Sequence, residues 1–176
     1  MRTYLSVDIG ASSGRHILGW IEAGRLRLEE IYRFENKLAR KNGRLCWDME
    51  HLAEEVLRGL ERCRELSKIP DSMGIDTWAV DFLLLDGEGN PLGDAVAYRD
   101  SRTQGMDKLV EALVSPQELY ARTGIQKQDF NTIYQLMAVK TQEPELLDQA
   151  RRLLMVPEYL TYRLTGKLEN EYTNAT

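Results

Sequence analysis

The residues best equipped for chemistry lie at 7–15, in the run VDIGASSGR. An apolar stretch ends in Asp8, and Gly10-Ala11-Ser12-Ser13-Gly14-Arg15 follows almost at once. Small residues let a ligand come close to the backbone. Turn amides, joined by the Ser12 and Ser13 hydroxyls, can then cradle phosphate oxygens. Arg15 adds a fixed cation. A carboxylate at a strand end suits Mg²⁺ beside those phosphates, which makes Asp8 the candidate metal ligand. Metal, backbone donors and cation are the parts phosphoryl transfer requires. Spacing excludes two other phosphate loops. Gly10 to Gly14 is one residue short of the Walker A spacing and no lysine follows; the G-x-G-x-x-G pattern also fails, and a strand is predicted next instead of a helix. On these residues alone, a β-hairpin turn with a solvent-facing aspartate remains the alternative.

Other chemistries have little raw material. His16 and His51 are far apart in sequence, and Cys46 and Cys63 lack metal-type spacing and are expected to be reduced. A His/Cys metal centre or a Ser-His-Asp arrangement is therefore disfavoured. A net charge of -5 argues against nucleic acid or an anionic membrane as partner. No apolar run approaches the roughly 20 residues needed to cross a bilayer, and the N-terminus turns polar too soon for a signal peptide. A cytoplasmic location is expected. With 43% apolar residues in 176, the chain can build a core, as one domain or one large piece of a bigger protein.

The elements that must position these residues read as follows. Stretches 3–9, 15–23 and 25–34 alternate as strands, with a turn at Gly24, giving a three-stranded antiparallel meander. Residues 36–44 read as a basic loop. Residues 48–66 have helical period, with Asp48 as N-cap and Leu52, Val56, Leu57, Leu60 and Cys63 as the apolar stripe. Residues 72–86 form a strand pair, 87–90 a turn, and 91–100 another strand and loop. Helices are predicted at about 103–114, 116–123 and 132–141, a short segment at 144–150, a buried strand at 152–156, and a helix from Pro157 to Gly166. The order describes a mixed α/β domain.

A second motif bears on the first. GIDTWAVDFLLLD (74–86), followed by AVAYRDSRT (95–103), closely resembles the FGGY family of sugar kinases. The resemblance takes in VDIGASSGR, WDME, FNTIYQL (130–136) and the closing YRLTGKLENEYTNAT (162–176), and so runs from end to end. It implies an α/β, RNase H-like fold of the actin/hexokinase/Hsp70 type, with a mixed sheet and helices. Two such domains would close over ATP, Mg²⁺ and sugar. It further implies transfer of the γ-phosphoryl group of ATP to the O1 hydroxyl of a ketose. L-rhamnulose is the favoured sugar, with L-fuculose or L-xylulose as alternatives.

Carried over residue by residue, Ala11, Ser12, Ser13, Gly14 and Arg15 match the family's first phosphate loop, and Asp8 matches the aspartate that organises Mg²⁺. Ala79 matches a substrate-contacting position that is usually glycine in the nearest members; its methyl narrows the approach to the sugar. Trp78 is placed as a wall of the sugar site, and Tyr98 likewise. Asp76 and Asp81, five apart on one presumed strand, should face opposite sides and make a poor acid/base pair. Arg99, Asp100, Ser101 and Arg102 are expected to form a loop ion-pair cluster, and Asn131 and Thr132 to cap the helix that follows. The family's general base, its adenosine pocket and its second phosphate loop belong to a second half. Residues 1–176 are thus expected to be a partial N-terminal domain, with the C-terminal domain absent, no catalytic residue of its own and negligible activity alone. A non-catalytic sugar- or nucleotide-binding half-domain is the reading from a different class.

Overall fold

The computed structural model describes residues 2–174. Ala175 and Thr176, the end of the closing stretch 162–176, lie outside the described residues. In chain order the strands are β1 (Thr3–Ile9), β2 (Ser13–Glu22), β3 (Arg25–Glu35), β4 (Leu38–Lys41), β5 (Arg44–Trp47), β6 (Ser72–Asp76), β7 (Phe82–Leu85) and β8 (Arg152–Met155). The helices are α1 (Met49–Glu65), α2 (Met106–Glu111), α3 (Pro116–Thr123), α4 (Thr132–Gln142), α5 (Pro144–Gln149) and α6 (Val156–Thr165). No helix among the described residues is long and apolar enough to cross a membrane. The chain divides into two compact units.

The first unit contains Met1–Lys37, Asp48–Trp78 and Leu160–Lys167. Its sheet runs β3-β2-β1-β6: the expected meander, with β6 added parallel to β1. The alternation in β1 buries Leu5, Val7 and Ile9 on one face. Helix α1 covers that face, and Asp48 caps it by accepting the His51 N–H at 3.2 Å. The covering side is Leu52, Val56, Gly59 and Cys63, at helical spacing. Gly59 touches the buried His16 so closely that a Cβ there would sit 2.1 Å from the imidazole. Leu57, expected in the stripe, is 49% exposed, because position 57 is rotated well off the 52–56–59–63 line. The other face of the sheet carries Tyr4, Ile21, Leu26 and Leu28, all exposed.

The second unit contains Leu38–Trp47, Ala79–Tyr159 and Leu168–Thr176. Phe82, Val139 and Met155 form its buried centre, with Leu84, Leu136, Leu146 and Leu153 packed against them. Strands β7 and β8 pair antiparallel through this centre. Residues 36–44, expected as a loop, instead supply most of the β4–β5 hairpin. Asn42 and Gly43 take φ of 49° and 81°, the left-handed turn geometry that matches strand twist. Residues 91–100 do not form a strand. Only single bridges occur there, Leu85 to Pro91 and Cys46 to Val96. Pro91 has no amide to donate, and 95–97 is tied to β5 by just two bonds, Trp47 N to Ala95 O and Ala97 N to Leu45 O. The helix expected over 103–114 is broken by Gly105 at φ 78°, which separates a 3₁₀ turn (Ser101–Thr103) from α2. Cys46 and Cys63 are both buried free thiols.

Candidate functional site

In the first unit, Asp8 and Arg15 face each other across the β1–β2 ladder as register partners. The Arg15 Nε and one terminal nitrogen lie 2.9 and 2.8 Å from a single carboxylate oxygen, Asp8 Oδ2. Asp8 Oδ1 accepts nothing among the described residues. On the other side, Asp8 pairs in register with Asp76, the last residue of β6. Side chains at partnered positions share a face, so a row of charge runs Asp76–Asp8–Arg15–Arg33 across the sheet end.

The turn between β1 and β2 is held through its carbonyls. Gly10 N–H donates to Ser13 O at 2.9 Å, Asn36 N–H to Ser12 O at 3.0 Å, and the Asn36 side-chain amide to Gly10 O at 2.9 Å. The N–H groups of Ala11 and Ser12, and both serine hydroxyls, donate to nothing among the described residues. A turn with occupied acceptors and idle donors suits an anion. Neither Gly10 nor Gly14 is among the glycines at positive φ. Gly14 is small for another reason: a Cβ there would lie 2.1 Å from the Phe34 ring.

No group of three or more His, Cys, Asp or Glu able to hold a metal occurs among the described residues. The implied Mg²⁺ is a cation usually bound by one or two carboxylates with phosphates and water. Asp8 Oδ1, the idle amides and the hydroxyls are chemically apt for a magnesium polyphosphate. Arg15 would have to exchange Asp8 for phosphate, at little cost, since exposed ion pairs are worth about 0–1 kcal/mol.

The strand pair at 72–86 is interrupted. Strand β6 stops at Asp76, and Asp81 stands just ahead of β7 in a different sheet. The opposite-face argument for these two aspartates therefore does not apply, since one extended strand does not connect them. Asp76 is exposed, whereas Asp81 is fully buried. Asp81 Oδ2 accepts from Trp47 Nε1 at 2.6 Å and from the Tyr98 amide at 3.0 Å; Oδ1 accepts from Gln135 Nε2 at 2.8 Å. Held by these donors and shut off from solvent, Asp81 is unsuited to moving a substrate proton.

Trp78 ends the first unit and Ala79 begins the second. Trp78 is half-buried, with its carbonyl taking a 2.9 Å bond from Thr77 Oγ1; Ala79 is exposed. Within the second unit, Asp81 ties the turn at Ala79 to Tyr98, whose ring packs 5.5 Å from Phe130 and 6.2 Å from Trp47, centre to centre. The cluster expected at 99–102 is not a mutual set of ion pairs. Asp100 takes the Arg102 and Leu45 amides at 2.9 and 2.7 Å, Arg99 lies over the Tyr98 ring, and Arg102 is buried against Gln135. Burial pushes the Arg102 guanidinium down, while Asp81 and Asp100 oppose that shift. Asn131 occupies the N-cap position of α4, but its side chain bonds Gln126 O at 3.0 Å instead of the helix; Thr132 Oγ1 reaches Val80 O at 2.9 Å. A cavity of about 580 Å³ in this unit is lined by apolar residues such as Leu119, Phe130 and Met155 together with polar ones such as Gln126, Lys127 and Asn131.

Comparison with known proteins places this architecture among the sugar kinases. A xylulose kinase from Lactobacillus acidophilus superposes with a TM-score of 0.80 at 18% identity, over 96% of this chain and 34% of that one. Glycerol kinase from Plasmodium falciparum with ADP gives 0.70 at 14% identity, over 99% of this chain and 40% of that one. Residues 3–176 match the N-terminal domain of the FGGY family of carbohydrate kinases, and the chain belongs to that family. Similar curated relatives are the rhamnulokinases of Halalkalibacterium halodurans, 54% identical over all of this chain and 38% of the relative, and of Klebsiella pneumoniae, 48% identical over all of this chain and 36% of the relative. The chain thus spans under two-fifths of the length of these relatives.

Proposed function

We propose that this domain forms one wall of an ATP-dependent ketose kinase that phosphorylates the O1 hydroxyl of L-rhamnulose. The observation that supports it most is the β1–β2 turn, whose acceptors are filled and whose Ala11 and Ser12 amides are idle beside the half-used carboxylate of Asp8. In this reading the amides and hydroxyls of Ala11, Ser12 and Ser13 receive phosphate oxygens, the Gly14 backbone lines the loop, and Arg15 moves from Asp8 to the phosphates. Asp8 orients the magnesium ion, which neutralises charge on the transferring group when bound. Trp78 and Ala79 meet the sugar. The resemblance to the family implies a general base outside residues 1–176, in keeping with the burial of Asp81 under its hydrogen bonds. The identity of 54% to a rhamnulokinase favours L-rhamnulose over other ketoses.

The test is a hybrid in which residues 1–176 replace the matching segment of the Halalkalibacterium rhamnulokinase. ATP-dependent turnover of L-rhamnulose, exceeding that of L-fuculose and L-xylulose, is expected. A folded hybrid inactive on every ketose would overturn the reading. The 176-residue chain alone should show no turnover; activity there would sink the placement of the base.

A further inference from the structure

Ala79, Val80 and Asp81 form a γ-turn in which the Asp81 N–H donates to Ala79 O at 3.0 Å and Val80 has φ 73°. This is the rarer, strained form of the γ-turn, and positive φ is a true outlier for a β-branched residue. Such a conformation persists only where its surroundings over-determine it. The surroundings here are polar and buried. Val80 O accepts from Thr132 Oγ1 at 2.9 Å and from Gln135 Nε2 at 3.2 Å. Asp81, the next residue, is fixed by Trp47, Tyr98 and the same Gln135 amide. Gln135 is itself fully buried, and its Oε1 accepts from Arg102 at 2.7 Å. A guanidinium on one side, and a carboxylate with two carbonyls, Val80 O and Phe130 O (3.0 Å), on the other, leave that amide a single orientation. Ala79, which opens the turn, is itself exposed.

We propose that Gln135 is a positioning residue: it clamps the strained Val80 turn so that Ala79 is held at a fixed place against the ketose. The proposal rests on the reading above that Ala79 meets the sugar. Releasing the clamp lets Val80 relax to negative φ, which displaces the Ala79–Val80 peptide and leaves the nucleotide loop in the first unit untouched. The expected signature is a loss confined to one substrate.

In the hybrid kinase, Gln135→Met removes the donors and the acceptor at similar volume. Sugar KM should rise about 10-fold or more with ATP KM unchanged, the pattern of lost sugar positioning. Adding Val80→Gly, which takes positive φ without strain, should bring sugar KM back to within about 3-fold of the parent. In the 176-residue chain, hydrogen exchange at the Asp81 amide should speed up in Gln135→Met and slow again in the double variant. Equal rises in both KM values, or a lowered melting temperature with sugar KM unchanged, would make Gln135 structural only and overturn the proposal; so would failure of glycine to rescue. If Gln135→Met does not fold, Thr132→Val removes the other donor to Val80 O, and an unchanged sugar KM there overturns the proposal equally. An inactive parent hybrid overturns the kinase reading itself, whereas an active parent with an indifferent Gln135→Met overturns the clamp alone.

Discussion

The two turns that carry the candidate chemistry are built in opposite ways. The β1–β2 turn is relaxed, exposed and pinned chiefly by Asn36. The Val80 turn is strained and locked from beneath by Asp81, Thr132, Gln135 and Arg102. The difference follows from what each would bind. A polyphosphate is flexible and highly charged, so idle amides on a lightly held loop suffice to collect it. A neutral sugar offers only hydroxyls, whose discrimination depends on fixed placement, and fixed placement of a non-glycine turn needs buried support.

The comparison breaks most visibly at Asp81. Asp81→Ala removes the acceptor of Trp47 Nε1 and of the Tyr98 amide and takes from Gln135 Nε2 one of its three acceptors. A loss of about 3–5 kcal/mol is expected in chemical denaturation, as for the removal of one member of a buried charged network; a loss no larger than that of a surface substitution would contradict the network. Next is Gly14→Ala, which drives a methyl into the Phe34 ring. Overpacking should cost about 1–3 kcal/mol, and Phe34→Leu in the same chain should recover part of it. Asn36→Ala should cost about 1 kcal/mol by removing the side-chain bond to Gly10 O, and in the hybrid it should raise ATP KM and spare sugar KM, the reverse of Gln135→Met.

The smallest effect at neutral pH concerns His16. Its ring is fully buried, and neither nitrogen has a partner at full hydrogen-bond geometry among the described residues. Desolvation lowers its affinity for a proton below the ordinary 6.5, against upward pulls from the Val56 backbone and from Glu55. The unfolded chain therefore binds the proton more readily. Stability is full above about pH 6.5 and falls as the pH drops below it. Melting temperatures between pH 5 and pH 8 should decline on the acid side, and His16→Leu should flatten that limb; parallel curves would refute it.

Strands β1 and β2 were legible because buried and open positions alternate along them, and α1 because its apolar period and Asp48 cap agree. The β4–β5 hairpin was obscured by four basic residues around Asn42–Gly43, although that pair is itself a turn signal between short runs. The turn after Asp8, between two strands, was readable from residue types alone. Two things were not. Gly14 answers to Phe34, twenty residues away, and nothing local marks a glycine that yields space to a distant ring. The Val80 turn depends on Thr132 and Gln135, more than fifty residues on, while a Trp-Ala-Val-Asp run by itself reads as continuous strand. Long-range polar support leaves no periodicity, so composition and spacing pass over it.

The open side of the first unit's sheet, with Tyr4, Ile21, Leu26 and Leu28 facing water, sets how this polypeptide behaves in a test tube. Attraction between such surfaces grows on warming from the cold and in kosmotropic salts, and it acts against the repulsion of a net charge of -5. Light scattering should therefore stay low in chilled, sulfate-free buffer and climb with ammonium sulfate, and Leu26→Lys together with Leu28→Lys should keep the solution clear.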